Sequence, residues 1–213
     1  LTQRKEDLWI ALKGCIADHY LPSFANEFGK QFPEYWGNVK EPFEAYYGTE
    51  LGKIAQALGF GLKDSITHVV ALQNFLIACR YPSETLSDNP HSWMASESFK
   101  TIKGRYDRLV LESEKDIGKS LIFFTYGGET SMSANLANYL SYHYSPKTVV
   151  VGYVKGEITN LSLRGKGIRM ILERVLKKFP DARGGGHEDA VGARVKTGDL
   201  ARFREALEQE IGV

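Results

Sequence analysis

The 213 residues carry 27 Lys and Arg against 26 Asp and Glu, a formal charge of +1, so the chain is no polyelectrolyte and any affinity for nucleic acid or another anion must be local. An apolar fraction of 43% with 25% charge is enough to bury one generous core or two small ones. No stretch approaches the roughly 20 apolar residues of a membrane helix, and the opening LTQRKEDLW lacks a basic-then-apolar signal pattern, so a cytoplasmic protein with no membrane partner is expected. Cys15 and Cys79 lie far apart in apolar stretches, without metal-ligand or disulfide spacing, and read as buried thiols in a reducing compartment.

From Glu6 to Ile16 the apolar positions Leu8, Trp9, Leu12 and Ile16 recur at helical spacing, and this helix delivers Asp18 to a loop. Residues 23–50 are aromatic and turn-rich and read as short helices and loops. Residues 49–59 have a Thr49 cap, apolar Leu51, Ile54, Ala55 and Leu58, and a closing Gly59. Residues 64–80 predict a further helix capped by Asp64 or Ser65, with Ile66, Val69, Val70, Leu72, Leu76 and Ile77 inside. Pro82 and Pro90 break Tyr81 to Ser92 into a loop. Residues 93–117 form a long charged helical stretch of the kind that joins two lobes, with a boundary near Ile117 and Gly118.

Beyond that boundary strands and helices alternate over short distances. Ser120 to Tyr126 reads as a buried strand, Ser131 to His143 as a helix with Met132, Leu136, Tyr139 and Leu140 inside, and Lys147 to Val154 as a second strand. Thr159 to Arg164 alternates Leu161 and Leu163 with polar neighbours and pairs with the second strand through the turn Lys155, Gly156, Glu157. Ile168, Ile171, Leu172, Val175, Leu176 and Phe179 form one amphipathic stripe. Ala190 to Val195 is a fourth strand, and Leu200, Phe203, Leu207 and Ile211 mark a closing helix.

The sharpest local feature is Arg183 to Gly192, RGGGHEDAVG, between a helix and a strand. Three consecutive glycines are costly in backbone entropy, so a folded chain keeps them where side chains do not fit or φ is positive. Successive free N–H groups of Gly184, Gly185 and Gly186 predict a nest for phosphate oxygens, with His187 as an added donor. The alternative is a flexible surface loop with a solvated histidine. Arg164 ends a strand, where a guanidinium can project into a cleft as a fork for phosphate, or simply face solvent. Gly127 to Ser131, a strand-to-helix turn with an electropositive helix N-terminus, is a third and weaker candidate.

The strings GGGHEDAVGARV (Gly184 to Val195), YGGETSMSANLANYL (Tyr126 to Leu140) and VVVGYVKGEITNLSLRG (Val149 to Gly165) together resemble the DHHA1 domain. That domain is the C-terminal substrate-binding module of DHH-superfamily phosphoesterases, among them RecJ-type single-strand exonucleases, oligoribonucleases and cyclic-dinucleotide phosphodiesterases. The resemblance spans about the last 95 residues and implies that Arg164 and the Gly184 to His187 element contact substrate phosphate or nucleotide. Ala11 to Asp18, followed by Leu21 and Pro22, is similar to the last metal-ligand segment of the DHH catalytic domain, which implies Asp18 as one ligand of a Mn2+ or Mg2+ site. In such enzymes two metals activate water for in-line attack on phosphorus. The family's D-x-D motif, isolated Asp and Asp-His-His triplet precede that segment; here seventeen residues precede Asp18, and Tyr20 rather than a second histidine follows His19.

The expected fold is therefore α/β: a mostly helical remnant of a DHH lobe over residues 1–92, a connecting helix over 93–118, and a small mixed DHHA1 domain over 119–213 with a central sheet flanked by helices. The absence of an initial Met and the abrupt helical start favour the C-terminal portion of a longer enzyme, a RecJ-like nuclease or oligonucleotide hydrolase, over a shortened relative that has lost its chemistry. The chain alone is expected to be inactive and to bind no metal, with single-stranded nucleic acid or a short oligonucleotide as partner. Rival expectations are a non-catalytic scaffold of the replication machinery, with the aromatic segment Phe32 to Tyr47 as the surface for a replication-protein partner, and a cyclic-dinucleotide hydrolase.

Overall fold

A computed structural model describes residues 7–115 and 117–212, and the chain falls into two compact units that divide after Arg105. The first unit is helical: α1 (Leu8–Ala17), α2 (Ala25–Gln31), α3 (Pro33–Trp36), α4 (Pro42–Gly48), α5 (Glu50–Gly61) and α6 (Ile66–Ala78), then single 3-10 turns at Pro82–Thr85 and Trp93–Ala95 and the start of α7 (Glu97–Ser113). Glu6, where the periodicity starts the first helix, lies outside the described residues.

Helix α1 buries Trp9, Leu12 and Ile16 against a core that includes Leu51, Ile54, Ala55 and Leu58 of α5. Thr49 starts α5: its Oγ1 accepts from the Gly52 N–H at 2.9 Å and donates to the Ala45 carbonyl at 2.6 Å, serving one orphan donor of the first turn. The helix does not stop at Gly59. Phe60 is 2% exposed, and a Cβ on Gly61 would run into the side chains of Leu72 and Trp93, so packing carries the helix two residues further. The Trp93 indole donates to the Ala57 carbonyl at 2.8 Å and ties its turn to the same helix. Phe32, Tyr35, Trp36 and Tyr46 are core residues, so these rings of the aromatic segment offer no surface to a partner.

Helix α6 corrects the sequence reading. Its apolar residues run around the cylinder, and periodicity cannot choose among faces when every face is apolar. The face that packs inward carries Leu72, with Phe75 and Leu76 half-buried, while Ile66 (84% exposed), Val70 and Ile77 (81% exposed) point outward. Ser65, not Asp64, is the cap, its hydroxyl accepting from the His68 N–H at 3.4 Å. Cys79 is buried, and burial pushes its thiol up to about 11; Cys15 is only half-buried.

The second unit takes the end of α7 and then alternates: β1 (Leu121–Gly127), α8 (Ser133–His143), β2 (Thr148–Lys155), β3 (Ile158–Arg164), α9 (Ile168–Leu176), β4 (Arg183–Gly186), β5 (Ala190–Lys196) and α10 (Leu200–Ile211). The sheet order is β1-β2-β3-β5-β4, with β1 and β2 parallel through the α8 crossover and every other pair antiparallel. The β2–β3 hairpin turns at Lys155, Gly156 and Glu157 as its sequence predicts, Gly156 having φ +62°. Five strands stand where four are legible, because the extra one is Arg-Gly-Gly-Gly, which has none of the β-branched or aromatic residues that announce a strand.

Both faces of the sheet are covered in part. Ile168, Leu172 and Val175 of α9, with Phe203 and Leu207 of α10, close over Val150, Leu161, Leu163, Val191, Ala193 and Val195. On the opposite face α8 packs on β2 and β3 with Leu136, Ala137 and Leu140 buried, and Val149 and Val151 lie beneath at 0% exposure. Leu136→Ala empties a fully buried position and is expected to cost about 2–5 kcal/mol; Ile77→Ser, on the outer face of α6, is expected to stay within about 0.5 kcal/mol of wild type. Paired thermal or urea denaturation curves check both, and a large loss from Ile77→Ser would contradict the orientation of α6.

Candidate functional site

The alternation of β3 sends Leu161 and Leu163 into the α9 side and Asn160, Ser162 and Arg164 to the α8 side. Register then extends this second face across the sheet. Ser162 pairs with Gly192 and Gly192 with Gly185, while Arg164 pairs with Ala190 beside the β4–β5 turn that holds His187. Three regions far apart in sequence thus meet: the end of β3, the glycine strand and the first turns of α8.

Arg164 is half-buried and held before any ligand arrives. Its Nε donates to Asn138 Oδ1 at 2.6 Å and its Nη1 to the Leu163 carbonyl at 2.8 Å, which fixes the plane of the fork. Ser162 Oγ donates to Ser133 Oγ at 3.0 Å, and Ser133 lies 3.2 Å from the Ser131 hydroxyl, so a chain of hydroxyls links β3 to the start of α8. The turn before α8 is itself anchored: Tyr153 donates to the Gly128 carbonyl at 2.8 Å, and the Tyr126 hydroxyl accepts from the Met132 N–H. Burial holds the Tyr126 phenol above its ordinary range, so it serves as a neutral hydroxyl throughout the physiological range.

The glycines divide by face. A Cβ on Gly184 would lie 2.7 Å from the Gly192 carbonyl and 3.1 Å from Leu172 Cδ2; one on Gly186, whose φ is +147°, would lie 2.6 Å from the Ala190 carbonyl. These two are glycine because the strand lies too close to β5 and α9 for anything else. Gly185 is different: a Cβ there meets nothing within 4 Å, and one on its partner Gly192 meets only the Leu161 carbonyl at 3.7 Å. Gly185 and Gly192 therefore form an exposed, side-chain-free floor with Arg164 and His187 at one end. A flat backbone surface beside a fixed guanidinium and an imidazole suits close approach by a phosphate-bearing, planar ligand.

The expected nest is not the geometry. A nest requires successive residues of alternating αR and αL hand, whereas Arg183–Gly186 is extended and paired along its length, with Gly186 at positive φ. Nor is the segment a loose loop. His187 N–H donates to the Ala190 carbonyl at 2.9 Å, and the turn docks on the first turn of α9 and the segment before it: Gly167 N–H to Asp189 Oδ1 at 2.7 Å, Gly165 N–H to the Asp189 carbonyl and Arg169 N–H to the Glu188 carbonyl, both at 3.1 Å. Gly165 (φ +155°) and Gly167 (φ +63°) supply the left-handed turns that aim those amides at Asp189.

Ser162, Ser133 and Asn138 escape a motif reading, although period-two alternation in NLSLR already sets Asn160, Ser162 and Arg164 on one face. Asp18 belongs to the first unit, at the exposed C-terminal cap of α1. The following His19 (φ +55°) turns its ring onto Phe43, centroids 4.3 Å apart, and edge-on to Tyr46. Among the described residues no group of three or more His, Cys, Asp or Glu side chains is arranged to hold a metal, so this donor set does not fit the two-cation centre that the resemblance implies.

The glycine floor yields a direct test of its own geometry. Gly184→Ala is expected to destabilise by about 1–3 kcal/mol through overpacking, whereas Gly185→Ala is expected to be neutral or to stabilise by up to about 1 kcal/mol. Denaturant titration of the two variants separates them.

No curated protein matches the chain. The family model for the DHHA1 domain matches residues 118–212. Among solved structures, RecJ from Thermus thermophilus is similar over 100% of this chain in complexes with Mg2+ (13% identity, TM-score 0.58) and Mn2+ (12%, 0.59). The DHH domain of a protein described as a member of a family of ribosomal proteins matches over 97% (15%, 0.58). At these identities the likeness is one of fold. The chain spans 35% and 33% of the RecJ chains and 50% of the third. Residues 118–212 thus match the DHHA1 domain, and the fold of the chain is that seen in the RecJ structures.

Proposed function

We propose that this chain supplies the substrate-holding part of a RecJ-like, metal-dependent phosphoesterase that acts on single-stranded nucleic acid or short oligonucleotides. One observation carries the reading: Arg164, braced by Asn138, and His187 flank an exposed floor from which Gly185 and Gly192 withhold side chains. The fork grips phosphate oxygens, the imidazole donates from the β4–β5 turn, and the floor lets a sugar or base lie against backbone. The RecJ relatives are complexes with Mg2+ and Mn2+, and the phosphoester chemistry of the whole protein rests on such cations. Asp18 alone does not organise them, so no catalytic step is assigned to this chain.

A titration with a 5′-phosphorylated single-stranded oligonucleotide tests the reading. Arg164→Ala and His187→Ala are each expected to weaken binding about tenfold or more, the scale of a lost charge-assisted hydrogen bond. Equal affinity in all three proteins would overturn it.

A second reading, a non-catalytic scaffold that binds a protein, is favoured by a different feature, the outward face of α6 with Ile66, Val70 and Ile77 exposed in one stripe. It requires retention of a protein partner together with no measurable oligonucleotide affinity in the titration above.

A further inference from the structure

Arg164 and His187 occupy one end of the glycine floor. The other end carries an arginine pair. In the β4–β5 register Arg183 faces Arg194, and Arg194 in turn faces Asn160 of β3. Burial fixes their direction: Val191, Ala193 and Val195 fill the core beneath α9, so Gly192 and Arg194 lie on the exposed face with the floor.

Like charges directly opposite in an antiparallel pair are destabilising, and among the described residues the one acid that acts on this pair, Asp181, reaches Arg183 and not Arg194. Arg183 spends its Nη1 on the Pro180 and Ala182 carbonyls, 2.6 and 2.9 Å away. The nearby carboxylate of Asp181 is bound by Lys196. The side chain of Arg194 is exposed and makes no hydrogen bond or ion pair among the described residues. The Arg194 guanidinium, held beside another positive charge and with no acid of its own among the described residues, on the rim of an open backbone floor, has the properties of an anion contact.

Its distance from the first contact sets what that anion is. Arg164 stands across from Ala190, four residues along β5 from Arg194, which at 3.3–3.4 Å per residue is about 13 Å. That is about four nucleotide steps at the 3.4 Å rise of a stacked strand, and fewer for an extended one. A mononucleotide has its phosphate at one place and reaches one end; an oligonucleotide laid along β5 over Gly192 and Gly185 reaches both. Resting on the phosphate-holding reading of Arg164 and His187, we propose that Arg194 is a second phosphate contact that makes the DHHA1 domain favour oligonucleotides over mononucleotides.

The test compares thymidine 5′-monophosphate with 5′-phosphorylated hexathymidylate and its ribo counterpart, hexauridylate, binding to the full chain. Arg194→Ala is expected to weaken hexamer binding about five- to tenfold and to leave the monophosphate unchanged. It is also expected to lower the slope of log K against log salt by about 0.7, the value for one phosphate contact on a single strand. Arg194→Lys is expected to recover part of the loss, and Arg194→Gln, which preserves the stem, to repeat the alanine result if the alanine variant folds poorly. An unchanged hexamer affinity, or an equal loss for monophosphate and hexamer, would overturn the proposal. Failure of the underlying reading looks different: Arg164→Ala and His187→Ala would then leave both ligands unaffected.

Discussion

The close approach of β4 to β5 and α9 is the constraint on which the C-terminal unit depends. At Gly184 and Gly186 the strand passes so near the Gly192 and Ala190 carbonyls that a single added carbon does not fit. That contact turns Gly185 the other way, toward open space and opposite Gly192, and so creates the floor. It also sets the β4–β5 turn at the level of Arg164, because register carries Gly186 to Val191 and Ala190 to Arg164. Tight packing on one side of a strand and emptiness on the other are thus one feature, imposed by the two-residue period of the backbone.

The electrostatics follow the same local logic. With 27 basic and 26 acidic residues the chain has almost no net charge, yet acids and bases are not evenly mixed on the sheet. Two acidic side chains near the floor are spent: Asp189 binds an amide, and Asp181 binds Lys196. Arg164, Arg183 and Arg194 share the exposed face of the sheet. A bulk charge near zero is therefore compatible with a positive stripe, and composition sets no limit on the local field.

Legibility from sequence varies with how much each element depends on its own residues. The stripe of Ile168, Leu172 and Val175 announces α9, and alternation in NLSLR announces β3, because each of those patterns has one apolar side. Helix α6 does not disclose its inner face, since Ile66, Val70 and Ile77 lie beside Leu72 and Leu76 on a cylinder apolar all round, and only its neighbours decide which side is buried. Strand β4 is invisible for the opposite reason: Arg183 to Gly186 has no side-chain pattern, and its pairing comes wholly from β5. Motif spacing brings out Arg164 and the glycines, while the groups that brace them, Asn138 and Ser133, are tied to the site by hydrogen bonds across 26 and 29 residues of chain.

The docking of Asp189 on the amides of Gly165 and Gly167 has an implication for how binding energy is distributed. The positive end of a helix is a ready seat for a phosphate, but at α9 that seat is already taken by the protein's own carboxylate. On the proposed reading a ligand gains nothing there and takes its donors from Arg164 and the ring of His187. The same tether holds the turn in place beforehand, so association spends little entropy on ordering it. Asp189 acts, in effect, as a resident counter-anion, keeping one electropositive site out of competition for any anion that approaches the floor.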